Sequence, residues 1–167
     1  MEAANPQMLM NTEKRYEDEA RGKDEGERSL HPETSPMERG QWGEEVAAMH
    51  LMRMGWRILG RNVHPCRRDR RCELDIIAYA PSEKSVVFIE VKTHMRHSPY
   101  ANRLWAVDAD KKRNLLRASA NWLMRRRWHG NFRFDVLEIY GGRESGTAPE
   151  IDHIENVRLF PDNWRFW

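Results

Sequence analysis

Glu73-Leu74-Asp75-Ile76-Ile77-Ala78-Tyr79, followed through Ala80-Pro81-Ser82-Glu83-Lys84 by Ser85-Val86-Val87-Phe88-Ile89-Glu90-Val91-Lys92, is the stretch on which the fold turns. Its two outer runs are rich in β-branched and aromatic residues and read as strands. The link between them carries turn chemistry, so an antiparallel hairpin is the economical arrangement. Side chains alternate along a strand, which puts Glu73 with Asp75 on one face and Glu90 with Lys92 on one face. Two carboxylates held close repel, and repulsion with burial raises the pKa of one of them unless a cation lies between. A hard divalent ion such as Mg²⁺ removes that conflict, because it takes one or two carboxylates and keeps several waters that a phosphate can displace. The competing reading is a cross-strand ion pair of Lys92 with Glu73 or Asp75 on a solvated sheet. Spacing alone leaves the two even.

Upstream, Ser35-Pro36-Met37-Glu38 is a capping box with proline at the first helical position. The helix it opens is expected to run to Met54 and stop at Gly55. Trp42, Val46, Met49 and Leu51 supply its apolar side chains, and Gly40 and Gly43 are expected to let another backbone approach. Glu44 lies on the stripe with Ala47, Ala48 and Leu51, beyond the reach of the helix dipole, which makes it a functional candidate. Trp56 to Val63 reads as the first strand. After it comes a basic loop, His64-Pro65-Cys66-Arg67-Arg68-Asp69-Arg70-Arg71. Arg67, Arg68, Arg70 and Arg71 form either a phosphate-contacting arm or a loop merely kept soluble.

Downstream, Asp108 reads as the N-cap of a helix reaching about Trp128, with Leu115, Leu116, Ser119, Trp122 and Leu123 buried and Gly130 past its end. Lys111 and Lys112 fall in its first turn, where cations oppose the dipole unless a phosphate or carboxylate partner offsets the cost. They are candidate nucleic-acid contacts. Phe132 to Tyr140 and Ile151 to Glu155 read as further strands. The terminal Trp164-Arg165-Phe166-Trp167 could stack on unpaired bases or pack back on the core, and packing is the commoner fate.

The chain of 167 residues suits one domain, and its formal charge of +2 conceals a division. Through Pro36 there are nine acidic and five basic residues, a net of −4, which leaves +6 for the remainder. Residues 1–34 are too polar to offset the entropy of ordering and are expected to be a disordered tail; 35–167 form the domain. The longest apolar runs are too short to span a bilayer and no signal-peptide pattern opens the chain, so a cytoplasmic protein is expected, without a membrane partner. Cys66 and Cys72 make no disulfide framework, and a metal site with His64 is a weak reading of their spacing.

Gly43-Glu44 with Ala47, Gly55-Trp56-Arg57-Ile58-Leu59, Arg61-Asn62, Glu73-Leu74-Asp75-Ile76-Ile77-Ala78, Phe88-Ile89-Glu90-Val91-Lys92-Thr93, Lys111 and Arg133-Phe134-Asp135-Val136 follow in the order of the YraN-like family. The chain resembles that family over roughly residues 38 to 160, and the family resembles the PD-(D/E)XK endonuclease superfamily, which includes archaeal Holliday-junction resolvases. One departure is the basic loop, which is longer than usual and has Cys72 where the family has glycine before the Glu-x-Asp. The resemblance implies an α/β fold with a restriction-endonuclease-like core, a central mixed sheet of about four to five strands flanked by two main helices. It implies a phosphodiesterase acting on nucleic acid, DNA before RNA, with Mg²⁺ or Mn²⁺ as cofactor. Asp75, Glu90 and the main-chain carbonyl of Val91 would hold the ion, with Glu44 in or near the shell and Glu73 as an alternate ligand. Lys92 would orient the attacking water or steady the transition state. Cutting two strands symmetrically would call for a homodimer. The rival is a non-catalytic nucleic-acid-binding adaptor that retains the fold, and an incidental acidic cluster is the weakest reading.

Overall fold

The structure, a computed structural model, describes residues 35–66, 69–96 and 109–159. The expected disordered tail, the Asp108 cap, Arg67, Arg68 and the terminal aromatics lie outside these residues. Helix α1 (Pro36–Arg53) is followed by strands β1 (Arg57–Val63), β2 (Leu74–Ala80) and β3 (Ser85–His94), helix α2 (Ala109–Arg126), and strands β4 (Asn131–Tyr140) and β5 (Glu150–Ile154). The five strands form one sheet in sequence order. β2 and β3 pair antiparallel as the hairpin expected, while β3 and β4 run parallel from Ser85↔Asn131 to His94↔Tyr140. A parallel pair needs a crossover, and α2 lies within that connection. The outcome is the α/β architecture expected, a mixed sheet with two helices.

Alternation along the strands sorts the core into two layers. Val87 and Ile89 of β3 pack with Val46, Ala47, Ala48 and Leu51 of α1. Val86 and Phe88 pack with Leu115, Ala118, Trp122 and Leu123 of α2. β3 is therefore covered on both faces, which explains its nearly continuous apolar run.

The helix start is as read: the Ser35 N–H donates to Glu38 Oε2 at 2.8 Å, and the Glu38 N–H donates to Ser35 Oγ at 3.2 Å. At the other end Gly55 takes φ +80°, letting Trp56 N–H return to Leu51 O at 3.0 Å. Two expectations for α1 fail. Met49 is 45% exposed rather than buried. Gly40 meets nothing, since a Cβ there would find open space, whereas one at Gly43 would collide with Thr93 Oγ1 of β3. Only Gly43 is required by close approach. α2 ends at Arg126, short of Trp128, because Arg127 turns to φ +50° and the Trp128 indole donates to Asn131 O at 3.0 Å.

Candidate functional site

Ile76↔Ile89 is the last register pair of the β2–β3 hairpin toward its open end, and one step further Asp75 and Glu90 lie across from each other. Asp75 alternates with Ile77, and Glu90 with Phe88, so both side chains leave the sheet on the α2 face. The Val91 N–H donates to Asp75 Oδ2 at 2.8 Å and ties the aspartate to β3. Burial and then the charge of Glu90 push the Asp75 carboxyl up to about 7, against the pull of that N–H and of Lys111.

Glu90 is only 6% exposed. Its Oε1 meets Lys111 Nζ at 2.9 Å and Lys92 Nζ at 3.9 Å. Its Oε2 is buried with no hydrogen-bond partner. Leaving a buried carboxylate oxygen unsatisfied is costly, so this atom is an acceptor with capacity to spare at the centre of the cluster. Burial opposes the charge on Lys111, but Glu90 foremost, then Asp75 and Glu73, outweigh it and raise its pKa. The cations expected to oppose the α2 dipole therefore do have a carboxylate partner, at Lys111. Lys112 lines a mainly apolar cavity of about 210 Å³ with Glu90, Leu115, Phe134 and Arg158.

Glu44 reaches the cluster from α1. Contact of Gly43 with Thr93 brings the helix against β3, and Glu44 then meets Arg61 Nη2 of β1 at 3.8 Å. Burial, foremost, raises the Glu44 pKa against the pull of Asn62 and Arg61, and its charge adds to the push on Asp75. Like Glu90, it keeps a buried oxygen, Oε2, without a hydrogen-bond partner. Glu73 lies at the margin of the cluster, and its charge acts on Lys111 and Glu44. It precedes β2 and turns to His64 Nε2 at 3.6 Å, with its side chain 43% exposed.

The arginine loop is partly folded on itself. Asp69 accepts from Arg71 Nε at 2.9 Å and Nη2 at 3.0 Å, and from Arg117 Nη1 at 3.1 Å. These partners, Arg71 first, hold the Asp69 carboxyl well below its usual range. Arg71 is thus engaged, while Arg70 is exposed. An acidic residue two positions before Arg71 was the readable signal for this pairing, and the reading of the loop as four arginines passed over it. Cys66 and Cys72 are both free thiols, and burial, then the neighbouring Cys66, pushes Cys72 up to about 11.

Among the described residues no three His, Cys, Asp or Glu side chains converge as a metal cage. That leaves no cysteine–histidine site, since His64 pairs with Glu73 instead. It is compatible with a magnesium-type ion, which takes one or two carboxylates and completes its shell with water. The hard oxygens of Asp75 and Glu90, one of them buried and unpartnered, fit such an ion. The described helices include none long and apolar enough to cross a membrane.

An α/β sheet of this order, with paired carboxylates at the open end of its central hairpin, is the class of protein to which restriction-endonuclease-like cores belong. Residues 43–139 match the family described as "Uncharacterised protein family UPF0102". Relatives named "UPF0102 protein" include one from Pelobacter propionicus, 43% identical over 71% of this chain and 80% of its own length. Another, from Mycobacterium avium, is 41% identical over 71% of this chain and 88% of its own. The chain belongs to the UPF0102 family, the YraN-like family that its motifs resemble.

Proposed function

We propose that the protein is a metal-dependent phosphodiesterase that cuts nucleic acid, DNA in preference to RNA, in the cytoplasm. The observation that carries this reading is the buried, unpartnered Oε2 of Glu90, a carboxylate whose other oxygen meets two ammonium groups and which lies across the hairpin from Asp75. Asp75 and Glu90 would hold Mg²⁺ or Mn²⁺, with Val91 through its carbonyl and Glu44 or Glu73 as further ligands. The ion, when bound, supplies a Lewis acid for the phosphate and a more acidic water. Lys92 steadies the negative charge that develops on the phosphate or orients the attacking water, and Lys111 holds Glu90 in place. Lys112, Arg67, Arg68, Arg70 and Arg71 extend the basic surface toward the strand. A homodimer is the assembly if both strands are cut.

Purified protein with Mn²⁺ or Mg²⁺ is expected to nick at least one substrate among single strands, duplexes, flaps and four-way junctions, and Asp75→Ala to abolish nicking. A second reading, the non-cutting adaptor, has one observation in its favour: Lys111 already neutralises Glu90 at 2.9 Å. Binding without turnover on every substrate, with no manganese peak in an anomalous-scattering map at Asp75 and Glu90, would decide for the adaptor.

A further inference from the structure

On the α1 side of β3, away from the carboxylate pair, a cleft of about 540 Å³ is lined by Arg39 and Gly40 of α1, Thr93 and His94 of β3, and Arg96 just past it. Its arginines differ from several of the others. Arg61, Arg71, Arg117, Arg133 and Arg143 all have a carboxylate partner. Arg39 and Arg96 have no side-chain hydrogen bond or ion pair among the described residues. His94 borders the cleft at the end of β3, and its ring stacks on Tyr140 with centroids 5.2 Å apart. The backbone beside Gly40 faces open space. The start of α1 is already capped by Ser35 and Glu38, so the charge of the cleft comes from its guanidinium groups.

We propose that this cleft is a second phosphate-binding site, which grips the sugar–phosphate backbone of a nucleic acid to one side of the carboxylate cluster. The proposal rests on the nucleic-acid reading above and adds where the flanking strand lies. Guanidinium forks match phosphate oxygens bidentately, and a threonine hydroxyl supplies the smaller polar group that such sites use. Distance supports it. Lys92 and Arg96 are four residues apart, at most about 13 Å along an extended chain, which is about four steps of one strand of a duplex. The two sites lie at the same end of β3 on opposite faces of the sheet, so the strand is taken to pass round that end, from the ammonium groups at Glu90 to the guanidinium groups of the cleft. Arg39, from a different element, fixes its direction across the sheet.

The test is the salt dependence of binding, measured without divalent ions on a labelled oligonucleotide with wild type and Arg39→Gln/Arg96→Gln. Loss of two phosphate contacts should lower the slope of log K against log salt by about two and weaken binding at least about tenfold at low salt. Arg39→Lys/Arg96→Lys, which keeps the charge, should restore most of the slope and guards against a variant that merely folds poorly. An unchanged slope in the glutamine variant overturns the proposal. So does inorganic phosphate that displaces the oligonucleotide at equal phosphate concentration, because the cleft would then be a small-anion site. Wild type that binds but never cuts, with the slope lowered in the glutamine variant, removes the hydrolase reading and leaves the cleft standing, whereas wild type that cuts, with an unchanged slope in the variant, does the reverse.

Discussion

Asp135 and Glu90 sit on adjacent strands one register step apart, and they show two ways in which a sheet can hold a buried carboxylate. Asp135, fully buried, faces α1. It accepts from Arg133 Nε at 2.9 Å, His153 Nε2 at 2.9 Å and the Asn156 N–H at 2.8 Å. Burial alone would raise its pKa, but these donors, His153 and Arg133 before Asn156, outweigh it and the pKa is lowered. Glu90 faces α2 with one oxygen unpartnered, and its neighbour Asp75 is pushed the other way, up to about 7. The first carboxylate is satisfied by the protein itself, so its task is structural: it ties β4 to β5 and, through Arg133 over the Trp56 ring, to the end of α1. The second is left incompletely satisfied, which is how sites that take a ligand differ from sites that only support the fold.

If that contrast is sound, the two clusters respond to substitution with opposite sign. The largest effect is expected from Asp135→Ala, which strands the His153 imidazole and the Asn156 N–H and leaves Arg133 only its more exposed partners, Glu83 and Glu155. A loss of about 3–5 kcal/mol corresponds to a melting temperature lower by about 10 °C or more. A melting point within a degree or two of wild type would break the comparison. Asp75→Asn keeps an acceptor for Val91 N–H but removes a repelling charge, and should raise the melting temperature by a few degrees at pH 8 in chelator while abolishing stabilisation by Mg²⁺. Destabilisation there would mean that Asp75 is satisfied after all.

The pH dependence sharpens the same point. The folded-state pKa of Asp75 lies above its ordinary 3.8, so its contribution to stability is present below that value and lost as the pH climbs toward about 7. Asp135 is depressed, so its contribution is present above its ordinary value and lost as the pH falls through the folded one. Metal-free wild type should lose stability relative to Asp75→Asn across that window, and Mg²⁺ should bind more tightly as the pH rises through it. Parallel melting curves for the two proteins from pH 4 to 8 would remove the argument. Glu44→Gln is expected to have the smallest effect, a rise of under about 1 kcal/mol, because Arg61 and partial exposure already moderate its charge.

The hairpin was readable because a period of two on apolar strands leaves Asp75 and Glu90 conspicuous, and the turn between them is local. The start of α1 was readable for the same reason, since a capping box is complete within four residues. The Asp135 cluster was not. Arg133 and Asp135 were noticed only as parts of a family pattern, and their partners His153 and Asn156 arrive from β5, where nothing in the spacing announces them. Gly40 and Gly43 looked alike in sequence, and only the distance to Thr93 separates them. Glu73 was read from strand alternation, but it stands one residue before β2 begins, and its pairing with His64 was not announced by the spacing. The cleft at Arg39 and Arg96 was likewise invisible, being assembled from two elements far apart in the chain.

The parallel pairing of β3 with β4 also bears on the order in which the molecule assembles. Contacts between residues close along the chain form sooner, because closing a short loop costs less entropy. Asp75 and Glu90 are brought together by a tight hairpin, whereas Lys111 arrives only with the crossover that lets β4 dock. The two acids are therefore expected to meet in the nascent chain before the lysine of α2 reaches them. Divalent ions present during refolding would ease that early repulsion and speed the step in which the hairpin forms.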